Sequence, residues 1–416
     1  MSSVANLLSL TILFCVIVPI LRQLQCLHHN YQAAKRTGLH VVVVPVDPYG
    51  TFWQISSQLC APLIKNFEWC RILSATWTWE DGSKRHDKYG ETFIVASPAR
   101  NIVFTSDKVA VEEALKKIKS WVKPKLYESM DFYGKNVDTV NGEDWSRHRK
   151  ITAPCFNERV SGFVWEETLR QAQAMLDHWL AQPAGNVSRM VDDTRIIALH
   201  VLYAAGFGVQ HDFHAGVRKP APGHQLSHRD ALMTILNNLI TIIIIAPQEG
   251  FLSKIPSLCT ARVKKCLLAL REFRQYTNEA IASERALLKQ GLAAQKPNLI
   301  STLIRTSDAA KAEGIHAMAQ LSDDEIKGNI FIFNLAGHDT TANTLAYAFA
   351  LLAVHSEVQA WVVEEIDEVL GEGEGVYEEA HPRLKRVLAV MVCLSFHLSI
   401  HQLPFTLLTM SYPQNC

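Results

Sequence analysis

Two short stretches carry residues that can do chemistry. The first is Ala336-Gly337-His338-Asp339-Thr340-Thr341, flanked by Asn334 and Asn343. It sets a carboxylate, an imidazole and two hydroxyls inside an otherwise apolar run. Gly337 costs about 1 kcal/mol relative to Ala in a helix interior, and buried polar groups cost more unless paired. A stretch that gives up stability in one place points to a functional site. The plainer alternative is a solvated stripe where a helix reaches the surface. The second stretch, GEDWSRHRKITAPCFNE, spans Gly142 to Glu158. Trp145 and Arg149 are four apart and so share one helix face. An indole N–H beside a guanidinium fork makes a carboxylate clamp. Arg147, His148 and Lys150 add donors and charge. The alternative here is a surface basic helix with a half-buried Trp.

The first stretch must be carried by a long helix. Ser322 with Glu325 forms a capping box, so a helix starts there. Ile326, Ile330, Phe333, Leu335, Leu345, Phe349 and Leu352 keep the helical apolar pattern, and no proline follows until Pro382. From Ser322 to His355 such a rod is about 48 Å long, enough to cross a domain.

The 416 residues balance 41 Lys and Arg against 41 Asp and Glu, which leaves no global basic field for nucleic acid. The nine cysteines are scattered, odd in number and without a C-x-x-C pair. That argues against a disulfide framework or a zinc site and suits a reducing compartment. Gly371, Gly373 and Gly375 lack phosphate-loop spacing, and Glu372 and Glu374 would repel a phosphate. G-x-S-x-G and H-E-x-x-H are both absent.

Val4 to Leu21 is uncharged and just long enough to span a bilayer. Arg22, Lys35 and Arg36 follow it, so an uncleaved anchor over 1–24 with the body facing the cytosol is expected; a cleaved signal peptide is the rival. Asn186-Val187-Ser188 fits a glycosylation sequon that a cytosolic body would leave unused. His40 to Tyr49 reads as a short buried strand, and Glu91 to Phe104 as two strands about a Ser-Pro turn. Asp107–Ile118, Thr168–Leu180, Asp193–Ala205, Ala261–Lys289 and Glu357–Leu370 carry helical periodicity. Leu239 to Ala246 (LITIIIIA) is either a core segment or an apolar edge that touches a membrane; it is too short to span one.

These segments together resemble the cytochrome P-450 family of heme-thiolate monooxygenases. Ala336 to Thr341 matches the family's A/G-G-x-D/E-T-T/S motif on its long central helix. Trp145 and Arg149 match its W-x-x-x-R helix, which in the family binds a heme propionate. The resemblance covers about residues 40–391 and is closest to fungal, membrane-bound members. It implies a mainly α fold with small β-sheets. It also implies heme as cofactor, with Trp145, Arg149, Ala336 and Gly337 as heme-side residues and Asp339 and Thr340 as catalytic ones. In that setting Ala336 and Gly337 leave room for the porphyrin and oxygen, Thr340 holds oxygen or a water, and Asp339 relays protons. His338 falls at the motif's variable position and is expected to pack. The implied activity is hydroxylation or epoxidation of an apolar small molecule with O2. Electrons would come from an NADPH-dependent reductase at the endoplasmic reticulum membrane, in fungal secondary metabolism.

The chain departs from the family near its end. The thiolate cysteine that holds the iron lies in an F-x-x-G-x-x-x-C-x-G loop, which is missing here. His381 to Met391 resembles the start of the family's E-x-x-R helix, but Cys393 and Phe396 stand where Glu and Arg belong. No Asp, Glu, Lys or Arg occurs from Val387 to Cys416. Residues 392–416 therefore read as a non-family tail, of the kind a frameshift or retained intron gives; a second membrane segment is the rival. The expectation is a P-450 fold lacking its C-terminal heme-ligand portion, with no metal ligand and with heme binding compromised. The alternative function is a non-catalytic, membrane-anchored fragment.

Overall fold

The computed structural model describes residues 2–50, 53, 56–57, 67–74, 77, 81–117, 120–183, 187–213, 220–290, 298–312, 320–371, 373 and 375–402. The side chains of 2–16, 258, 309–312 and 394–402 lie outside that description, as do Asn186 of the sequon, Glu372, Glu374 and the tail beyond 402. The chain divides into two compact units, residues 1–124 with 395–416, and residues 125–394.

The first unit starts with helix α1 (Ser2–Lys35). The sheet follows: β1 (His40–Val43), β2 (Thr92–Ala96) and β3 (Asn101–Thr105). Short helices α2 (Glu68–Ile72) and α3 (Lys84–Tyr89) precede β2, and α4 (Lys108–Lys116) follows β3. The strand order is β1-β2-β3, with β1 parallel to β2 (His40 opposite Phe93) and β2 antiparallel to β3 (Thr92 opposite Thr105). The β1 region was expected to be a buried strand. It is an edge strand instead, with His40 and Val43 exposed, because only one of its sides has a partner. Phe93, Val95, Ile102 and Phe104 bury against Trp77 and Ile72. Asn30 ties α1 to this sheet, donating to Ser97 O at 2.8 Å and accepting from Asn101 Nδ2 at 2.9 Å.

Of the expected anchor, Ile17, Val18, Ile20, Leu21 and Leu24 are exposed on α1, and Pro19 sits within it. Among the described residues, no single helix is long and apolar enough to cross a membrane.

The second unit is helical. Its elements are α5 (Gly142–Thr152), α6 (Glu158–Leu180), α7 (Met190–Phe207), α8 (His228–Asn237), α9 (Leu239–Ile245) and α10 (Glu249–Leu252). Then come α11 (Ala261–Lys289), α12 (Leu299–Ala312), α13 (Asp323–Val354), α14 (Ser356–Leu370), α15 (Tyr377–Ala380) and α16 (Lys385–Gln402). The periodic segments of the sequence are found as α4, α6, α7, α11, α13 and α14, with longer ends in α6 and α7. Mainly α with a small sheet is thus the observed class.

The central helix α13 packs chiefly along α7. Two apolar clusters hold it. Tyr133, Tyr203, Leu232, Ile235, Leu270 and Phe273 gather round Phe331. Ile151, Ile281, Ile300, Leu303 and Ile304 gather round Ile326 and Ile330. α9 divides the LITIIIIA run, with Ile242 and Ile245 buried and Ile240 and Ile244 exposed. Glu365 of α14 caps α16 by accepting from the backbone N–H of Arg386 (2.7 Å) and Val387 (3.1 Å).

Candidate functional site

Helix α13 begins as its sequence requires. Ser322 Oγ accepts from Glu325 N at 3.2 Å and Glu325 Oε2 accepts from Ser322 N at 2.8 Å, which closes the capping box. The first turn is acidic, Asp323, Asp324 and Glu325, the sign that suits the positive end of a helix dipole.

The polar centre keeps its helix by back-bonding. Asn334 Nδ2 donates to Ile330 O at 2.7 Å, Thr340 Oγ1 to Ala336 O at 2.7 Å and Thr344 Oγ1 to Thr340 O at 2.8 Å. Each side chain returns its donor to the carbonyl one turn back, so a polar group can sit in the rod without breaking it. Ala336, Asp339, Thr340 and Thr341 are exposed. They fall at i, i+3, i+4 and i+5, one open flank of α13. Because Thr340 has already spent its proton on Ala336 O, its hydroxyl oxygen faces that flank as an acceptor.

Gly337 is turned toward α7. A Cβ there would meet Leu202 Cδ1 at 3.3 Å, so its small size serves the α7–α13 contact. His338 is 1% exposed. Its Nδ1 lies 3.2 Å from Asp339 Oδ1, yet neither ring nitrogen makes a well-aligned hydrogen bond. Burial pulls its pKa down, against the attraction of Asp339, so the ring is neutral. The same Asp339 oxygen is 4.0 Å from Arg195 Nε of α7, both side chains being about half exposed.

On α5, Trp145 is half-buried and Arg149 exposed. Their side chains make no hydrogen bond or ion pair with any described residue, so both clamp donors are open. The residues between them do the structural work. Arg147 Nη1 donates to Glu325 Oε2 (2.9 Å) and Nη2 to Oε1 (2.6 Å), while Nη1 also reaches Gln320 O (2.7 Å). His148, fully buried, accepts from Asn329 Nδ2 at Nδ1 (3.0 Å) and lies 3.3 Å from Glu325 Oε1 through Nε2. Burial lowers its pKa despite Glu325, which gives a neutral ring carrying its proton on Nε2. Asn329 Oδ1 accepts from Val137 N at 2.9 Å. Burial opposes a charge on Glu325, but Arg147 and the Ser322 N–H hold its carboxyl down at about 2. Sequence reasoning read Glu325 only as a cap and Arg147 and His148 only as surface donors. It missed that the three join α5 to α13. A polar depression of about 490 Å³ lies beside them, lined by Glu143, Asp144, Arg147, Arg285, Asp323 and Glu325. It does not reach Ala336–Thr341.

A heme group can be tested against these residues. The open flank Ala336–Thr341 and the unpaired donors of Trp145 and Arg149 suit a flat cofactor with carboxylate arms. Of the described cysteines of this unit, Cys155 is chemically unsuited to ligate its iron. Cys155 is fully buried, and burial pushes its thiol up to about 12, far from the thiolate that metals require. Among the described residues, no group of three or more His, Cys, Asp or Glu is placed to hold a metal ion.

The family model for cytochrome P-450 matches residues 62–391. A cytochrome P-450 monooxygenase of Penicillium roqueforti is 30% identical over 381 residues, 87% of this chain and 62% of the relative. One of Penicillium rubens gives the same identity and coverage. The phomenoic acid biosynthesis cluster cytochrome P-450 monooxygenase of Leptosphaeria maculans is 26% identical over 390 residues, 86% of this chain and 65% of the relative. The chain thus spans less than two thirds of the length of these relatives.

Proposed function

The chain belongs to the cytochrome P-450 family, and we propose that its Ala336–Thr341 flank is the oxygen side of a heme site serving monooxygenation of an apolar small molecule. The observation that carries this reading is the arrangement of α13. An acceptor hydroxyl and a carboxylate stand side by side on an open flank of a long helix that buries Asn334, His338, Ala342 and Ala346 on another side. Trp145 Nε1–H and the Arg149 guanidinium would hold a heme carboxylate. When bound, the heme supplies the activation of dioxygen and the transfer of its oxygen. The protein's part is then to bring protons in while keeping bulk water out. Thr340 Oγ1, its proton committed to Ala336 O, would accept a hydrogen bond from a water held at that flank. Asp339, half in solvent, exchanges protons with bulk and hands them along the flank. Arg195 Nε, 4.0 Å from that carboxylate, adds a positive charge beside it.

Three further features belong to this proposal. They are an NADPH-dependent reductase as electron donor, an apolar substrate of secondary metabolism, and residence at the endoplasmic reticulum membrane through α1. The exposed Ile240, Ile244 and Phe251 of α9 and α10 are an apolar edge suited to touching a membrane. The substrate class draws support from the Leptosphaeria relative, which is named for a phomenoic acid biosynthesis cluster.

A second reading, a membrane-anchored non-catalytic product, is favoured by the cysteines. Cys155 is a buried neutral thiol, and the family match ends at residue 391, before Cys393. In that reading 392–416 stands outside the family domain. The test is the spectrum of the purified 416-residue chain with heme, reduced and exposed to carbon monoxide. A Soret band red-shifted as thiolate ligation requires supports the monooxygenase. Heme that binds without that shift supports the second reading. No heme binding at all overturns both the clamp and the oxygen-side assignment.

A further inference from the structure

Residues 221–226, ahead of α8, are tied to α11, and His224 makes the central contact. His224 Nδ1 lies 2.7 Å from Glu272 Oε2 and its Nε2 lies 3.0 Å from Glu279 Oε2. Its side chain is 1% exposed, and its ring stacks on Tyr276 at 3.6 Å between centroids, 10° from parallel. The same face of α11 holds the backbone around it. Gln225 N donates to Glu272 Oε1 at 3.1 Å, Ala221 N to Tyr276 Oη at 3.2 Å, and Tyr276 Oη to Leu226 O at 3.0 Å. Two carboxylates on opposite ring nitrogens demand two N–H groups, which only the imidazolium has. A neutral ring must present a lone pair to one of them.

We propose that His224 is a pH-dependent latch that straps residues 221–227 to α11, closed while the imidazole is protonated and loosened when it loses its proton. The two carboxylates decide which contact goes first. Glu272 is buried and is anchored by Gln225 N as well, whereas the Glu279 side chain is 54% exposed and can turn to water. The titratable groups facing the latch among the described residues are Glu272, Tyr276 and Glu279 on α11 and His228 on α8. Burial keeps His228 neutral, so it adds no charge. Burial works against the charged His224, but Glu279 and Glu272 raise its pKa above the ordinary imidazole value. A raised base contributes fully below pH about 6.5 and is lost as pH rises through the folded value. The latch therefore opens as pH rises through a value above that of an ordinary imidazole, as a histidine switch does.

Hydrogen–deuterium exchange on the full chain between pH 6 and 9, corrected for intrinsic rates, tests this on the peptide covering 221–227. Protection is expected to fall through one titration step. In Glu279→Gln, which leaves packing intact, the step moves down by about one pH unit, a tenfold change in proton affinity. In His224→Phe, which keeps the stack on Tyr276, the step disappears. A flat wild-type profile, an unmoved step in Glu279→Gln, or a step that survives in His224→Phe overturns the latch. None of these readouts involves heme, so the outcome is independent of the function proposed above.

Discussion

Arg147 of α5 grips Glu325 of α13 through two parallel N–H···O contacts, 2.9 and 2.6 Å long, while Glu325 also caps its own helix. Both side chains are less than one fifth exposed. One carboxylate thus starts the central helix and locks the clamp helix against it. Removing the arginine strands a half-buried charge, so Arg147→Ala is expected to cost on the order of 3 kcal/mol in urea unfolding. Glu325→Gln should cost less, since it removes the charge with its desolvation. A double-mutant cycle with a coupling below about 0.5 kcal/mol would show the pair to be incidental.

The same pair sets an acid limit. Glu325 is held at about 2 in the folded chain, below the unfolded carboxylate value of about 4.3. A depressed acid stabilises above its unfolded pKa, and that stability is lost as pH falls from about 4.3 toward 2. His200 and His228, both pulled down to about 3 chiefly by burial, add a loss that begins earlier, as pH drops below about 6.5. Stability against pH should therefore fall in two stages. His200→Gln should flatten the upper stage and leave the lower one, which thermal unfolding across pH 3–7 would read.

Two glycines on α13 look alike in sequence and differ in space. A Cβ on Gly328 would lie 2.3 Å from Gly134 O and 2.8 Å from its carbonyl carbon. Backbone cannot yield as a side chain can, so Gly328→Ala is expected to destabilise by about 3 kcal/mol or to leave the chain unfolded. Gly337→Ala meets only the end of Leu202 at 3.3 Å and gains about 1 kcal/mol of helix propensity. Its net effect should stay within about 1 kcal/mol in chemical denaturation. Equal costs for the two substitutions would contradict this assignment.

That contrast also shows how far the sequence could be read. Ser322, Glu325 and the apolar spacing announced α13 because a cap and a period are local signals. Ala336–Thr341 stood out because polar residues broke that period. Glu325 bonding Arg147, Asn329 bonding His148 and Val137, and Gly328 against Gly134 bring together partners up to about 190 positions apart. No local pattern encodes such pairs. The histidines at 200, 224 and 228 were passed over for the same reason, since their chemistry comes from what surrounds them. Helices α8 (His228–Asn237) and α12 (Leu299–Ala312) are both amphipathic and their period is present in the sequence; they went unread although the local signal was there.

His338 is a buried imidazole without a well-aligned partner on either nitrogen. Replacing both an unsatisfied polar group and its desolvation cost by carbon is neutral or stabilising, so His338→Leu should raise the melting temperature or leave it unchanged. A loss above about 1 kcal/mol would mean that the ring has a partner, the candidates being Asp339 at 3.2 Å and the Arg195 backbone.

Trp145 and Arg149 separate heme binding from folding. Neither side chain has a polar partner among the described residues, so Arg149→Ala should change the stability of the heme-free chain by less than about 0.5 kcal/mol, as ordinary surface positions do. If Arg149 holds a heme carboxylate by a charge-assisted pair, the same substitution should weaken heme binding about tenfold or more, since such bonds contribute about 1.5–3 kcal/mol. Trp145→Phe keeps most of the ring and removes one donor, so it should have the smaller effect on heme and almost none on folding. Titrating heme into the wild type and the two variants, alongside urea unfolding of each without heme, gives the comparison. Equal heme affinity in all three would remove the clamp from α5, and a parallel loss of stability and affinity would make Arg149 a structural residue.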